Sequence, residues 1–473
     1  MTGLEALEAR IRHDLEMTAH PRAKWLTPRT SAGRRVYDVL IVGAGQSGLA
    51  VAFGLLRDKV ENILLVDSAP RGREGPWSTY ARMHSLRSSK DQNGPDLGVP
   101  SLTFQAWFEA QWGKAAFTAL DLIPKADWHA YLNWFRAVTG LPVRNETALT
   151  HLSPATTDDG ARCVRAQCSD GQVLHARKVV LATGQDGTGQ WWMPPFIARL
   201  PGPVRAHTCD QIDFEALRGR TVAVLGAGAS AFDNAATAIE HGAIVHLFCR
   251  RAEPMVVQPY RWLTFAGFLR HIGDMSDEWR WRILSYVLGL REGFPPATYD
   301  RVRHSPNFVM HVGAPWLDAT MNDGRVRLTT QHGEFTADFV ICGTGVRHDF
   351  RLRPELAEFA DHIARWSDRY SPPPEEQNER LGAFPYLGPD YAFTERHPGQ
   401  AGWIRDIHLF GIGATMSFGP SASSINAMTI AVPKLVAGLT RGLFEADIER
   451  HWADLRAYNV KQVELDASKL VHG

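Results

Sequence analysis

Apolar positions along this chain recur at two spacings, and the switch between them sorts the predicted elements. Leu4, Leu7, Ile11 and Leu15 repeat at helical spacing, which predicts a helix docked on the main body, with Pro21 and Pro28 punctuating the stretch behind it. Val39 to Val42 is a continuous, largely β-branched run, the pattern of a strand buried in a parallel sheet. An apolar run of helical character follows, then a second strand from Asn62 to Val66, ending in Asp67. Residues 74–100 are rich in Gly, Pro, Ser and Arg and read as a long loop, a length that compact domains keep where it carries function. Trp77, Arg82, Arg87, Lys90, Asn93 and Asp96 lie in it, a few expected to face a ligand and most to be solvated. Trp128–Val138 has helical spacing and Leu141–Glu146 reads as a strand. Arg162–Gln167 and Gln172–His175 alternate around the turn Ser169-Asp170-Gly171, and the meander ends in a buried strand, Lys178–Leu181, followed by Ala182-Thr183-Gly184.

The pattern then starts again. Thr221–Leu225 is a strand, Phe232–Glu240 a helix and Ile244–Cys249 a strand. Residues 252–310 place aromatic residues from Trp262 to Tyr286 among prolines, an insertion that either covers a cavity or is a plain packing element. A second meander, Arg325–Thr329 with Glu334–Val340, runs into Ile341-Cys342-Gly343-Thr344-Gly345 and echoes Leu181–Gly184. The last quarter passes the loop at Ser371-Pro372-Pro373-Pro374 and returns as the strand Ile407–Phe410, closing on Gly411 and Gly413. A small-residue turn, Ser417–Ser424, leads into a helix from about Ile425 to Leu439, and a surface helix is expected from Ala446. Two copies of one plan thus predict an α/β chain with two Rossmann-like dinucleotide-binding domains and a helical insertion near 255–300. The expected boundaries are an extension over 1–35, a first domain over 36–203 resumed over 346–473, and a second over 204–345.

Glycines supply the chemistry of the repeat. Gly43-Ala44-Gly45-Gln46-Ser47-Gly48 joins the first strand to its helix, and Gly226-Ala227-Gly228-Ala229-Ser230-Ala231 does so in the second copy. In this pattern the first glycine makes a tight turn, the second lets a pyrophosphate approach the backbone and the third position lets helix and strand pack closely. The helix start then holds the phosphates. Asp67 stands where an acid binds a ribose hydroxyl, which suits the adenosine half of FAD. The equivalent position in the second copy carries Arg250-Arg251, which suits a 2′-phosphate and hence NADPH; the plainer alternative for the pair is surface ion pairing.

Composition narrows the class. The 473 residues predict more than one domain, and 44% hydrophobic content supports a sizeable core. A formal net charge of +0 removes any general electrostatic case for nucleic acid or an anionic membrane. The 5 cysteines are scattered without CxxC, against a disulfide framework, a zinc site or a dithiol redox centre. The longest apolar stretch, Val39–Leu56, is interrupted by glycines, so a cytoplasmic protein is expected.

Taken together, the two glycine turns, Ala182-Thr183-Gly184 and Gly343-Thr344-Gly345 resemble the class B flavoprotein monooxygenases, which include flavin-containing, Baeyer–Villiger and N-hydroxylating enzymes. The likeness runs from Tyr37 onward and is strongest to a CzcO-like bacterial branch. It implies an FAD-dependent, NADPH-consuming monooxygenase that places one atom of molecular oxygen on a heteroatom or carbonyl of a small molecule through a C4a-(hydro)peroxyflavin. An NADPH-dependent flavin reductase is the alternative, and a homodimer is a possible assembly. The family fingerprint Phe-x-Gly-x-x-x-His is altered here to Leu200-Pro201-Gly202-Pro203-Val204-Arg205-Ala206-His207, with one residue too many and Gln211 where an aromatic would stand. The resemblance puts His207 between the domains and Asn93, with Lys90, Asp91 and Gln92, near the flavin ring. Those two are the candidate catalytic residues. The expected cofactor contacts are Gly43, Gly45, Gln46, Ser47, Gly48, Asp67, Trp77, Arg87, Thr183, Gly184, Gly226, Gly228, Ala229, Ser230, Arg250, Arg251, Gly343, Thr344, Gly345 and Gly413.

Overall fold

Val39–Val42 forms the buried end of a nine-residue strand in the computed structural model, which describes residues 3–290, 293–420 and 424–470. The first sheet contains β1 (Arg29–Ser31), β2 (Arg34–Val42), β3 (Ile63–Val66), β4 (Val143–Arg144), β5 (Leu149–Thr156), β6 (Arg162–Cys168) and β7 (Val173–Leu181). Strands β4-β3-β2-β7 run parallel in that order. The start of β7 pairs with the antiparallel β6, and its end, Val179–Leu181, pairs in parallel with β18 (Ile407–Leu409). The last quarter of the chain therefore completes the first sheet. Helix α2 (Gln46–Arg57) joins β2 to β3, and its apolar residues from Leu49 to Leu55 are buried. Helices α3 (Phe104–Ala119) and α4 (Lys125–Thr139) lie beside it. Phe104, Trp107, Trp128, Tyr131 and Phe135 interlock there, so part of the tryptophan content is ordinary core. Helix α1 (Gly3–Met17) docks on α3 through buried Leu7 and Ile11.

Two short strands, β8 (Gly189–Trp191) and β17 (Val346–His348), carry the chain to the second unit and back, and they pair antiparallel with each other. The second sheet has β9 (Arg205–His207), β10 (Thr221–Leu225), β11 (Ile244–Phe248), β12 (Phe308–His311) and β16 (Phe339–Cys342) in the parallel order β12-β11-β10-β16-β9. Helix α5 (Ala229–Glu240) follows β10. An antiparallel sheet of β13 (Trp316–Asn322), β14 (Arg325–Thr330) and β15 (Gly333–Ala337) precedes β16, as β5–β6 precede β7. The duplication read from the sequence is thus a duplication of sheet order.

Residues 255–290 and 293–300 fold as short helices and α6 (Asp277–Leu290). Their inner side chains, Leu263, Phe268, Trp281, Leu284 and Val287, pack with Trp366, Leu381, Phe384 and Met416 of the returning segment. Trp262, Phe265, Trp279 and Tyr286 face outward, so much of the aromatic content expected over a cavity is on solvent. Helix α7 (Met428–Ala446) packs on α2, with Val432 and Val436 against Gly54, and α8 (Ile448–Ala457) follows. Residues Ile425–Ala446 are long and apolar enough to cross a membrane, but half of that stretch is buried inside the fold. Of the small-residue turn expected ahead of this helix, Ser421-Ala422-Ser423 lie outside the described residues.

Candidate functional site

The C-terminal ends of β2, β3 and β7 open on a cleft of about 560 Å³, within the size of ordinary ligand sites. Gly43, Gly45, Gln46, Ser47, Asp67, Trp77, Thr183 and Gly184 line it, as do Gly411 and Ile412 from the returning strand. Gly43 adopts φ +102°, and a Cβ there would lie 2.3 Å from the Ala182 carbonyl oxygen, so only glycine closes this turn. Gly45 faces open space, where a Cβ would meet only Gly75 at 3.7 Å. Gly45 is also the N-cap of α2, and no side chain caps that helix, so its first amides are left for a ligand. The Asp67 carboxylate accepts hydrogen bonds from the Ala44 and Ala69 amides at 2.7 and 2.8 Å, which fixes it beside the turn. Burial nevertheless raises its pKa. Gln46 Oε1 accepts from Trp128 Nε1 at 3.2 Å, tying the turn to α4.

Two buried polar atoms among the cleft residues, Trp77 Nε1 and Thr183 Oγ1, have no partner among the described residues. The loop carrying Trp77 is braced by Glu74, which accepts from Arg136 and Asn145 at 2.6 Å each and from the Gly72 amide at 2.7 Å. Sequence reasoning missed several lining residues: Arg73, Tyr80, Thr147, Arg353 and Glu355. Arg353 joins Glu355 at 2.7 Å and Asp186 at 3.2 Å, a charged end to the cleft. Nothing in the pattern around residues 353–355 announces this, because the return of the chain from the second unit puts them there.

The second turn repeats the geometry. Gly226 adopts φ +113° against the Gly343 carbonyl, and Gly228, the N-cap of α5, faces open space and has no side-chain cap. Ala229 and Ser230 are the first residues of that helix. Thr344 and Gly345 belong to the connection between the units, where the Thr344 hydroxyl donates to the Trp192 carbonyl and the Trp192 amide donates to that of Gly345 at 2.9 Å. Arg250 leaves the end of β11 exposed. Arg251 departs from expectation: its guanidinium donates to the Gly289 and Leu290 carbonyls at 2.6 and 3.3 Å, because the open C-terminal end of α6 lies within its reach.

Three further candidates stand elsewhere than expected. Arg87 turns from the cleft to the buried Asp233 of α5 at 2.8 Å; without it, that carboxylate would keep, among the described residues, the Thr298 hydroxyl and a distant Arg301. Asn93 is exposed and not part of the cleft lining, and Lys90 caps the end of α3 through the Phe117, Thr118 and Leu120 carbonyls. The neighbouring Gln92 side chain is the one turned inward, with neither polar atom partnered among the described residues. Gly413 sits behind the cleft, its Cβ position filled by Thr188.

His207 lies on edge strand β9, 3% exposed, at the interface of the units. Its ring contacts Trp191 at 5.2 Å, and Trp191 contacts the cleft residue Tyr80 at 5.6 Å. Nδ1 accepts from the Cys209 amide at 3.3 Å, which leaves the proton on Nε2, buried and unpartnered among the described residues. Burial pushes its pKa down to about 4, so it is neutral near pH 7. Burial, with Asp186 and Cys209, pushes Tyr80 up to about 12.

A family of FAD-NAD(P)-binding proteins matches residues 40–186, and the L-lysine 6-monooxygenase/L-ornithine 5-monooxygenase family matches residues 115–258. The chain is 42% identical over 447 residues to an FAD-dependent urate hydroxylase of Xanthomonas campestris pv. campestris, covering 94% of each. The chain belongs to the FAD-dependent monooxygenase family. Solved structures share the fold: ornithine hydroxylase from Pseudomonas aeruginosa has a TM-score of 0.67 at 16% identity, covering 86% of this chain and all of that one. L-lysine 6-monooxygenase from Pseudomonas syringae has a TM-score of 0.65 at 18% identity, covering 86% of this chain and 99% of its own. The protein is therefore an oxidoreductase that uses FAD and NAD(P)H, of the two-dinucleotide-domain class expected from the sequence. A full-length hydroxylase relative decides between oxygen insertion and the reductase alternative. For a monooxygenase of this family, the open space at Gly45, the uncapped start of α2 and the orphaned Trp77 and Thr183 fit FAD.

Proposed function

We propose that this monooxygenase hydroxylates urate or a closely related flat heterocycle, using NADPH and molecular oxygen. The observation that carries the reading is the 42% identity to a urate hydroxylase along 94% of both chains. In the reaction one oxygen atom goes to the substrate and the other to water, with two electrons from NADPH. Bound FAD supplies the redox chemistry.

The chain's own residues bind and orient. Gly43, Gly45, Gln46 and Ser47 seat the FAD pyrophosphate on α2, Gly48 packs that helix against the turn, where a Cβ would lie 1.9 Å from the Gly43 carbonyl oxygen, and Asp67 takes the ribose. Trp77 and Thr183 use their free polar atoms on the cofactor, and Gly184 gives it room. Gly226, Gly228, Ala229 and Ser230 seat the NADPH pyrophosphate, and Arg250 stands at the 2′-phosphate. The neutral His207 offers its Nε2 proton at the boundary between the units, as a positioning donor. Gln92, whose buried polar atoms are unpartnered among the described residues, would take over from Asn93 as the polar side chain of its loop available to the flavin. Residues 36–203 and 346–473 form the FAD domain, 204–345 the NADPH domain and 1–35 a docked extension. Exposed Trp452, Leu455 and Tyr458 on and beyond α8 favour a homodimer, which light scattering tests, and the protein acts in the cytoplasm.

The test is NADPH consumption in air with urate, ornithine or lysine, with product mass and hydrogen peroxide measured together. Urate-dependent consumption matched by a product heavier by one oxygen atom is expected. Stimulation by ornithine or lysine alone would move the chemistry to N-hydroxylation. NADPH consumed entirely into peroxide with all three would refute the substrate reading.

A further inference from the structure

A cation of the returning segment, Arg380, lies near enough to Arg250, at the end of β11, to feel its charge. Among the arginines around the second nucleotide turn, Arg251 is spent on the end of α6, Arg301 on Glu240 at 2.7 Å and Arg87 on Asp233. Arg250 makes no hydrogen bond or ion pair with any described residue. The same holds for Arg380, on the short helix Glu379–Gly382 of the returning segment. The next residue, Leu381, is fully buried in the apolar cluster that holds Trp281, Leu284 and Val287 of α6. One helix thus links the two arginines: its end is capped by Arg251, the neighbour of Arg250, and its inner face anchors the backbone of Arg380. The pairing has an electrostatic cost. Desolvation lowers the pKa of Arg380, and the positive charge of Arg250 lowers it further. Two unpaired guanidiniums that repel each other are relieved by an anion shared between them, and phosphate matches their forked donors.

We propose that Arg380 reaches across from the returning segment to grip the 2′-phosphate of NADPH together with Arg250, and that Arg251 takes no part. The proposal rests on the NADPH reading given above. It makes the 2′-phosphate a contact shared by both units of the chain, a contact that NADH cannot make. An anionic heterocycle would suit the same pair of charges, and the experiment separates the two sources.

The test uses purified holoenzyme and calorimetric titration with adenosine 2′,5′-bisphosphate, with AMP as the probe lacking the 2′-phosphate. The wild-type comparison of the two probes tests the NADPH reading by itself: equal affinity would refute that reading and this one with it. If the bisphosphate binds more tightly, Arg380→Gln and Arg250→Gln should each weaken it about ten- to hundredfold while AMP affinity stays unchanged. Arg251→Gln should leave both affinities within about twofold. Arg380→Lys, which keeps the charge and loses the fork, should fall between wild type and Arg380→Gln. Wild-type bisphosphate affinity in Arg380→Gln overturns the assignment. So does an equal loss of AMP affinity, which marks damage to the adenine site. A variant that binds the bisphosphate normally but raises the Michaelis constant for urate assigns the pair to the substrate instead. Bound flavin, read from the visible spectrum, confirms that each variant is folded.

Discussion

Acidification from pH 7.5 to 5.0 should destabilise this fold through histidines that are buried uncharged. Burial holds both His207 and His348 at about 4, with Arg380 adding to the effect at His348. The His348 ring lies 3.9 Å from Phe384, and its Nδ1 is 2.7 Å from the Thr188 hydroxyl. An unfolded chain returns both rings to about 6.5. Between those values the unfolded chain binds more protons than the folded one, so stability falls as pH falls through about 6.5 to 4. At pH 5.0 the loss is about 2 kcal/mol for His207 and somewhat less for the only partly buried His348. Buried His408, lowered by burial and by Lys178, acts in the same direction. Asp38 opposes them: burial raises it to about 6 despite Arg177, and neutralising it on acidification returns about 1 kcal/mol. The net expectation is a loss of about 2–3 kcal/mol over a range in which carboxylates with lowered pKa values are still ionised. Urea midpoints at constant ionic strength and saturating FAD measure it. His207→Gln and His348→Gln should each flatten the dependence by about 1–2 kcal/mol. A wild-type stability that stays level or rises between pH 7.5 and 5.0, or variants that track the wild type, would refute the reasoning.

Other perturbations have equally definite outcomes. Gly45→Val fills the open space over the start of α2 and should yield protein without visible flavin absorbance; full FAD retention would remove Gly45 from the pyrophosphate site. Arg87→Ala leaves the buried Asp233 with the Thr298 hydroxyl at 2.8 Å, and should cost about 1–3 kcal/mol in urea unfolding, with no loss if the pair is ornamental. Trp262→Ala, at a side chain 72% exposed, should leave the Michaelis constant for substrate unchanged; a rise of tenfold would reinstate the insertion as a lid.

Sequence pattern was most informative where one residue type had one possible job. Gly43 and Gly226 are needed at positive φ against the carbonyls of Ala182 and Gly343, and the matching strand ends gave away both turns and the duplicated plan. Strand β5 escaped notice because its sequence does not alternate and contains Pro154, which is tolerated at the outer edge of the sheet. The strand expected over Leu141–Glu146 is cut to Val143–Arg144, since the backbone turns out of the extended region at Glu146, where φ is +54°. Arginine was the residue least readable from position. Arg87 stood where a cofactor contact was reasonable and Arg250 and Arg251 where a phosphate contact was, yet Asp233 captures the first and the end of α6 the third. Which guanidinium remains free depends on long-range packing that no local spacing records. The charged end of the cleft at Arg353 and Glu355 was invisible for the same reason.

The placement of these arginines bears on how the two units move. Both crossings between them belong to one narrow ribbon, β8 paired with β17, which alone would act as a hinge. The loop before Asn93 ties the units a second time, beginning beside that ribbon, where Tyr80 packs on Trp191 of β8. Arg82 donates to the Asp210 carbonyl at 2.7 Å, Arg301 donates back to the Arg82 carbonyl at 3.2 Å, and Arg87 holds Asp233. These added ties stiffen the ribbon against rotation of one unit on the other. Gross separation of the units would break the Arg87–Asp233 pair as well as the contacts of the ribbon. Exchange of the nicotinamide dinucleotide is then best served from the open side of the second turn, where Gly228 faces free space and Arg250 is exposed. The clamp is also drawn from the long loop that carries Trp77 into the first cleft. Filling of that cleft and the position of the second unit are therefore coupled through a single stretch of chain, from Trp77 to Arg87.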